Sequence, residues 1–155
     1  MNEEQIVANI VTYNRKHLLV ECIDALLNQT YPLKAIQIID NASTDGTLEY
    51  LIEKGFIDIP PYHDKEPIEV MKPILLLNFS GRFVEIHYVR KNKNIGGAGG
   101  FYEAIKRSYD KGYEWIWLMD DDTIAHNDAL KELLLAYKKE YEVEKPVLLC
   151  SKVVW

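Results

Sequence analysis

Short apolar runs that end in polar clusters and alternate with amphipathic stretches constrain this chain more than any other feature. "QIVANIV" (Gln5–Val11), "AIQIID" (Ala35–Asp40), "FVEIHYV" (Phe83–Val89) and "WIWLM" (Trp115–Met119) have the length and β-branched or aromatic content of strands. Between them lie segments with helix spacing. Lys16–Asn28 carries apolar positions at Leu18, Leu19, Cys22, Ile23, Leu26 and Leu27. "STDGTLEYLIEK" starts a second helix with Ser43 or Thr44 as its cap, Gly100–Lys111 forms a third, and Asn127–Glu140 a fourth. "VLLCSKVV" begins another strand. This alternation predicts one α/β domain over 1–155, a three-layer α/β/α arrangement with a mainly parallel, Rossmann-like sheet.

One stretch breaks the rhythm. Gly55–Arg82 holds Pro60, Pro61, Pro67 and Pro73 and then the apolar "ILLLNF", which reads as an insertion at about 55–82 made of a loop and one extra strand. The end, "SKVVW", is apolar where chain ends are usually polar. It suggests a piece of a longer protein, with an exposed edge through which copies could associate.

The 155 residues carry a net charge of −6, with 48% hydrophobic and 27% charged residues. That is an ordinary globular composition, and its acidity argues against a nucleic-acid partner. The start, "MNEEQIVANIV", is too acidic for a signal peptide, and no run approaches the roughly 18 apolar residues of a membrane span. A cytoplasmic location follows, with room for peripheral contact at the inner face of a membrane. Cys22 and Cys150 both sit in apolar surroundings and read as two buried, reduced thiols.

The apolar run Trp115–Met119 ends in Asp120, Asp121 and Asp122. Two like charges about 4 Å apart cost on the order of 1 kcal/mol in water and about 4 kcal/mol at an effective dielectric near 20. A partner should offset that repulsion. In a parallel sheet with right-handed crossovers, the loops that follow the strands gather on one edge, where ligands bind. Here those loops are "TYNR" (Thr12–Arg15), "DNASTDG" (Asp40–Gly46), "RKNKNIGGAGG" (Arg90–Gly100) and the acidic triplet. They combine hydrogen-bonding side chains, a glycine-rich helix start, cations and an acid cluster. This set suits a nucleotide diphosphate with a hard cation, Mg²⁺ or Mn²⁺, that would neutralise aspartates and phosphates together. A solvated acidic turn that caps the following helix is the bland alternative.

Gly96, Gly97, Gly99 and Gly100 fit neither G-x-G-x-x-G nor a P-loop, and they do not follow the first strand. More glycine than a tight turn needs suggests close approach of backbone to a ligand at a helix start. Asp40 ends a strand and could accept from a base N–H or simply hold a turn, and Asp40→Ala should then weaken binding while sparing the fold. Asp45 reads as a turn residue. Arg15 and Arg90 could each meet a phosphate or remain solvated. His17, His63 and His87 carry no spacing signal, and His126 reads as a surface residue behind the triplet.

Together "VTYNR", "IIDNASTDGT", "NKNIGGAGGF" and "WLMDDD", in this order and spacing, resemble the family 2 inverting glycosyltransferases of the GT-A fold, within the galactofuranosyl- and rhamnosyltransferase-like subgroup. The resemblance covers nearly the whole chain outside Gly55–Arg82. It implies that Thr12, Tyr13 and Arg15 line the nucleotide pocket and that Asp40 contacts the base. Asn94, Gly96, Gly97 and Gly99 would border the diphosphate and sugar. Asp120 and Asp122 would be the outer positions of a D-x-D motif and its metal pair, with Asp122 the leading ligand. Asp120 and Asp121 would lie towards the ribose or sugar, with the middle carboxylate turned from the metal. The donor would be a UDP- or dTDP-sugar and the acceptor a saccharide or lipid-linked saccharide. The family's general base lies downstream of D-x-D. Here Asp128, Glu132, Glu140, Glu142 and Glu144 fall on or just after one helix, and none suits that role. The resemblance therefore implies the donor-binding half of an enzyme.

Three rivals differ in testable ways. A sugar-nucleotidyltransferase would place a glycine-rich loop after the first strand, where "TYNRKH" has none. A receiver-like signalling domain would place an acid pair there. A nucleotide-binding module without transfer activity shares every feature of the edge.

Overall fold

The computed structural model describes residues 4–61, 67–76, 81–141 and 148–152. The elements run β1 (Ile6–Thr12), α1 (Lys16–Leu27), β2 (Ala35–Asp40), α2 (Thr47–Glu53), β3 (Ile68–Leu76), β4 (Arg82–Arg90), α3 (Gly96–Asp110), β5 (Trp115–Asp120) and α4 (Ala129–Tyr141). They build one five-stranded sheet of order β3-β4-β2-β1-β5. β4, β2, β1 and β5 are parallel, with Thr12 beside Asp40, Val11 beside Asp120 and Asp40 beside Arg90. β3 runs antiparallel to β4.

β1 and β2 are buried along their whole length, which is why they read as unbroken apolar runs. Alternate residues face opposite layers. Ile6, Ala8, Ile10, Ile36 and Ile38 join Leu19, Ile23 and Leu26 of α1, Leu51 of α2, and Leu130 and Leu134 of α4 in one core. Val11, Ile39 and Val89 pack on the other face against Phe101 and Ala104 of α3. The predicted three-layer, mainly parallel architecture is therefore what forms.

The insertion carries an extra strand, β3, which begins at Ile68, ahead of the "ILLLNF" where it was expected. β3 lies at the sheet edge, where Pro73 can sit although it has no N–H for a ladder on both sides. His63 and residues 77–80 of the same stretch lie outside the described residues.

Several boundaries differ from the sequence reading. α3 starts at Gly96, not Gly100: Gly96 takes a positive φ of 74°, and its N–H donates to Asn94 Oδ1 at 2.8 Å, so the glycines form the first turn of the helix. α2 starts at Thr47 after the left-handed Gly46, because Ser43 and Thr44 are engaged by Asn14 instead of capping the helix. The strand expected from "VLLCSKVV" is absent among the described residues, since Leu148–Lys152 pairs with no neighbouring strand. Cys150 lies there and is exposed, contrary to the buried thiol expected, whereas Cys22 is buried. No helix among the described residues is long and apolar enough to cross a membrane.

Candidate functional site

The four loops expected on one edge do meet there. Thr12 ends β1, and its hydroxyl donates to Asp121 Oδ2 at 2.7 Å. The backbone carbonyl of Thr12 accepts from Asn41 N at 2.9 Å. Asn41 Nδ2 in turn donates to the Gly96 carbonyl at 3.1 Å. Arg15 Nη1 reaches Asp121 Oδ1 at 3.3 Å and Asp122 Oδ2 at 3.1 Å. A continuous line of contacts thus runs from Gly96 through Asn41, Thr12, Asp121 and Arg15 to Asp122.

That line answers the charge problem of the triplet. Arg15 sits between two of the carboxylates and opposes their repulsion. Asp121 is 4% exposed and turned inward onto Thr12. Burial pushes its pKa above the usual carboxylate range, against the Thr12 hydrogen bond and the Arg15 charge that favour ionisation. Asp122 and Arg15 are each about half exposed, so their pair is worth only about 0–1 kcal/mol. Asp120 is also exposed. The three neighbours therefore divide into one anchor and two open carboxylates. The inward turn expected of the middle residue is present, but a contact from Asp121 to the donor's ribose or sugar is not what this placement offers. Beyond Asp120 strand alternation ends, and the nearest polar partner is the hydroxyl of the adjacent strand.

Beneath the triplet lies Cys22, whose Sγ is 3.8 Å from the Asp120 carbonyl. Burial, followed by the charges of Asp121 and Asp122, pushes its thiol up to about 12, so it stays protonated and unreactive.

Asp40 does not occupy the open position expected of it. It is fully buried: Oδ2 accepts from the Tyr88 hydroxyl at 2.6 Å and Oδ1 from Ser43 N at 2.8 Å. Burial and the neighbouring Asp40 charge push the Tyr88 hydroxyl up in pKa, so it remains a donor. Asp40 thus holds the loop after β2, and it lies in the core, not outside it as the sequence reading has it, so Asp40→Ala should lower stability. β4 brings Tyr88 over the strand end, a tertiary contact that the motif does not reveal. Arg90 likewise donates to the Ser43 carbonyl at 3.0 Å, so it braces the same loop.

The glycines have separate reasons. At Gly100 a Cβ would come 2.5 Å from Val11 Cγ1, so only glycine lets α3 lie this close to β1. A Cβ at Gly99 would press on Ile95, while Gly96 and Gly97 face open space at the exposed start of α3. Tyr13, 45% exposed, and Asn94 stand on the same rim.

Two residues missed by the sequence reading complete the edge. Asn14 adopts a left-handed φ of 55° and ties the first loop to the second through Ser43 and Thr44. Asn41 is 2% exposed, and its Oδ1 is buried with no hydrogen-bond partner among the described residues. An orphaned buried acceptor costs about 1–3 kcal/mol. Ala42 beside it takes φ 64°, unusual for a residue with a Cβ and a strain of order 1–2 kcal/mol. Both costs fall in one loop, which is where a ligand would repay them. The only sequence cue was the position of Asn41 directly after a strand.

His17 stacks edge-on to Tyr50 at 4.9 Å, and exposed His126 offers its carbonyl to Gln29, so neither joins the edge. Asp128 lines a shallow hollow with Thr30 and His126 beside the far end of α1. Glu142 and Glu144 lie outside the described residues.

Comparison with known proteins gives concordant results. The model of the family described as "Glycosyl transferase family 2" matches residues 8–59 and 75–151. A galactofuranosyltransferase GlfT1 of Mycobacterium tuberculosis is 26% identical over 96% of this chain and 40% of its own length. GlfT1 of Mycolicibacterium smegmatis is 28% identical over 77% of this chain and 30% of its own length. The chain therefore spans well under half of these curated relatives. Among solved structures, S. aureus TarS 1-349 in complex with UDP superposes with a TM-score of 0.59 at 21% identity, covering 89% of this chain and 33% of that one. The mannosyltransferase PcManGT of Pyrobaculum calidifontis, in complex with GDP-Man and Mn²⁺, gives 0.59 at 20% identity over 86% and 32%. These two likenesses establish the shared GT-A fold.

Proposed function

The chain belongs to glycosyl transferase family 2, and from that premise we propose that its polar edge binds a nucleotide-diphosphate sugar with a divalent cation, as the donor-binding half of an inverting glycosyltransferase. The donor is a UDP- or dTDP-sugar. The acceptor is a saccharide or lipid-linked saccharide of a cell-envelope polysaccharide, met in the cytoplasm or at the inner membrane face. The observation that carries the reading is the unbroken line of contacts from Gly96 to Asp122. Along it an open helix N-terminus and two open carboxylates share one rim, beside a buried acceptor with no partner among the described residues, which supports the reading.

Asp120 and Asp122 fit the cation as hard oxygen ligands. Among the described residues no group of three His, Cys, Asp or Glu side chains is arranged to hold a metal. The protein thus offers a carboxylate pair, and phosphate oxygens and water would supply the remaining ligands, the usual pattern for Mg²⁺ with phosphate substrates. When bound, the cation stabilises negative charge on the departing diphosphate. The chain's own residues have separate parts. Arg15 and Thr12 fix Asp121 and so the turn of the triplet. Gly96 and Gly97 let the diphosphate approach the start of α3, whose dipole favours an anion. Asn41 Oδ1 accepts from a donor N–H or O–H, Tyr13 flanks the nucleotide, and Asp40 holds the loop that presents Asn41. The transfer step needs a general base within about 2.6–3.2 Å of the acceptor hydroxyl. Asp128 and Glu132 lie on the α4 side, so the 155 residues alone should bind donor and transfer nothing.

Calorimetric titration of UDP and dTDP with and without Mn²⁺ tests the reading. Binding should strengthen with the metal, and equal heats, or none, in both conditions would refute it. Asp122→Ala should remove the metal effect and leave the unfolding midpoint unchanged. Asp121→Ala should lower stability by about 1–3 kcal/mol, because it leaves Thr12 unpaired in a buried setting.

A further inference from the structure

Away from the donor edge, on the sheet face covered by α3, three side chains form a second line. Lys111 Nζ lies 2.6 Å from His87 Nδ1, and His87 Nε2 lies 2.9 Å from Glu85 Oε2. Lys111 follows the last turn of α3, and His87 and Glu85 are alternate residues of β4 on that face. With the amine on Nδ1, the ring proton sits on Nε2 and is donated to Glu85. The geometry fixes one tautomer of a neutral imidazole between an amine and a carboxylate, the arrangement of a nucleophile, its base and the group that orients the base.

The surroundings support this assignment. His87 is 5% exposed, while Lys111 is exposed to solvent. Burial, and then the Lys111 charge, hold the His87 pKa below its ordinary value despite Glu85. Partial desolvation of the Lys111 amine against His87 lowers its pKa although the residue as a whole is exposed, with Arg107 acting in the same direction and Glu85 and Glu69 against it. Arg107 is itself paired with Glu69 of β3 at 2.7 Å and with Glu103 at 2.8 Å. Tyr113, the remaining titratable group beside Glu85, stays protonated.

We propose that Lys111 is a nucleophilic amine that accepts acyl groups from activated esters or thioesters, with His87 as proton acceptor and Glu85 as the positioning residue for His87. The free amine attacks the acyl carbonyl and forms the Nζ–C bond. The C–O or C–S bond breaks, and the alkoxide or thiolate leaves with its electron pair. The proton shed by the attacking nitrogen passes to His87 Nδ1 and then to solvent, and nothing is oxidised or reduced. Glu69 and Glu85 near the amine select an uncharged acyl centre over an anionic acyl phosphate. The product amide removes one positive charge from the end of α3.

Lys106, on the same helix, is the internal control: it is paired with Asp110 at 2.5 Å, and that contact raises its pKa. The folded chain is incubated with p-nitrophenyl acetate near neutral pH, and acetylation at each lysine is followed by peptide mass spectrometry. Lys111 should react at least about tenfold faster than Lys106, a modest share of the roughly 10²–10⁴-fold that a positioned general base contributes. Equal rates would overturn the proposal. Glu85→Gln, at a partly exposed position, should slow Lys111 by roughly threefold or more and leave Lys106 unchanged. His87→Gln should bring Lys111 down to the Lys106 rate where circular dichroism shows the fold intact. A Glu85→Gln rate at Lys111 equal to wild type would refute the relay.

Discussion

The two faces of the sheet are built differently. Towards α1, α2 and α4 it presents Ile6, Ala8, Ile10, Ile36, Ile38 and Ile86, and the contacts are apolar up to the strand ends, where Thr12, Asp40 and Tyr88 hydrogen-bond. Towards α3 Val11, Ile39 and Val89 form the upper apolar cluster, and a buried polar layer interrupts that face below them. Below them Gln37 Nε2 lies 2.9 Å from Asn9 Oδ1, 2.8 Å from the Ala104 carbonyl and 3.2 Å from Ser108 Oγ, all buried. Apolar burial is strong but has no direction. A satisfied buried network tolerates little sliding. The first face stabilises the domain, while the second also fixes where α3 lies, and the start of α3 is part of the edge proposed to bind the donor.

Five substitutions, one of them paired with an acid titration, can break or sharpen this contrast. The largest effect should come from Ile38→Ala on the apolar face, about 2–5 kcal/mol by denaturant unfolding with an unchanged slope. Nucleotide affinity of the folded fraction should stay the same. On the other face Gly100→Ala should cost about 1–3 kcal/mol and also weaken UDP binding in calorimetry, since the Cβ must push α3 off Val11. A Gly100→Ala protein with wild-type stability and affinity would show that the close approach does not matter. Ser108→Ala should cost about 1–2 kcal/mol, because Asn9 and Gln37 each lose a buried partner.

Acid titration probes the same face more gently. The folded pKa of His87 lies below 6.5, so as pH falls the unfolded chain takes up this proton first. Its contribution is complete above 6.5 and is lost as pH falls through the folded value. Unfolding at a series of pH values should show that loss, and His87→Gln should flatten it. Smallest of all, Gly97→Ala should raise stability by roughly 0.5–1 kcal/mol, since a Cβ there meets nothing, while it weakens donor binding.

The sequence carried the sheet and the edge well, because both follow from local pattern. Buried parallel strands read as apolar runs, and the rule that loops follow strands to one side placed Thr12, Arg15, Gly96 and the triplet together. What it did not carry depends on contacts between distant residues. Asp40 looked free at a strand end until Tyr88, on a strand that joins the sheet through tertiary pairing, covered it. The four glycines looked alike, yet Gly100 answers to Val11 and Gly97 to nothing among the described residues. Cys150 looked buried because its neighbours are apolar, but apolar neighbours bury a residue only if a strand beside them does.

The contacts that complete the polar edge are among the most distant in sequence among the described residues. Thr12 and Asp121 are separated by 109 positions, and Arg15 and Asp122 by 107. β3 and β4, by contrast, pair as consecutive strands. Closing long loops carries the larger entropic cost and tends to follow local pairing in time. Binding competence should therefore arrive with the docking of β5 on β1, after the hairpin has formed. A nucleotide bound at that edge, as proposed, would act on that last step, so that donor supply and completion of folding would be coupled.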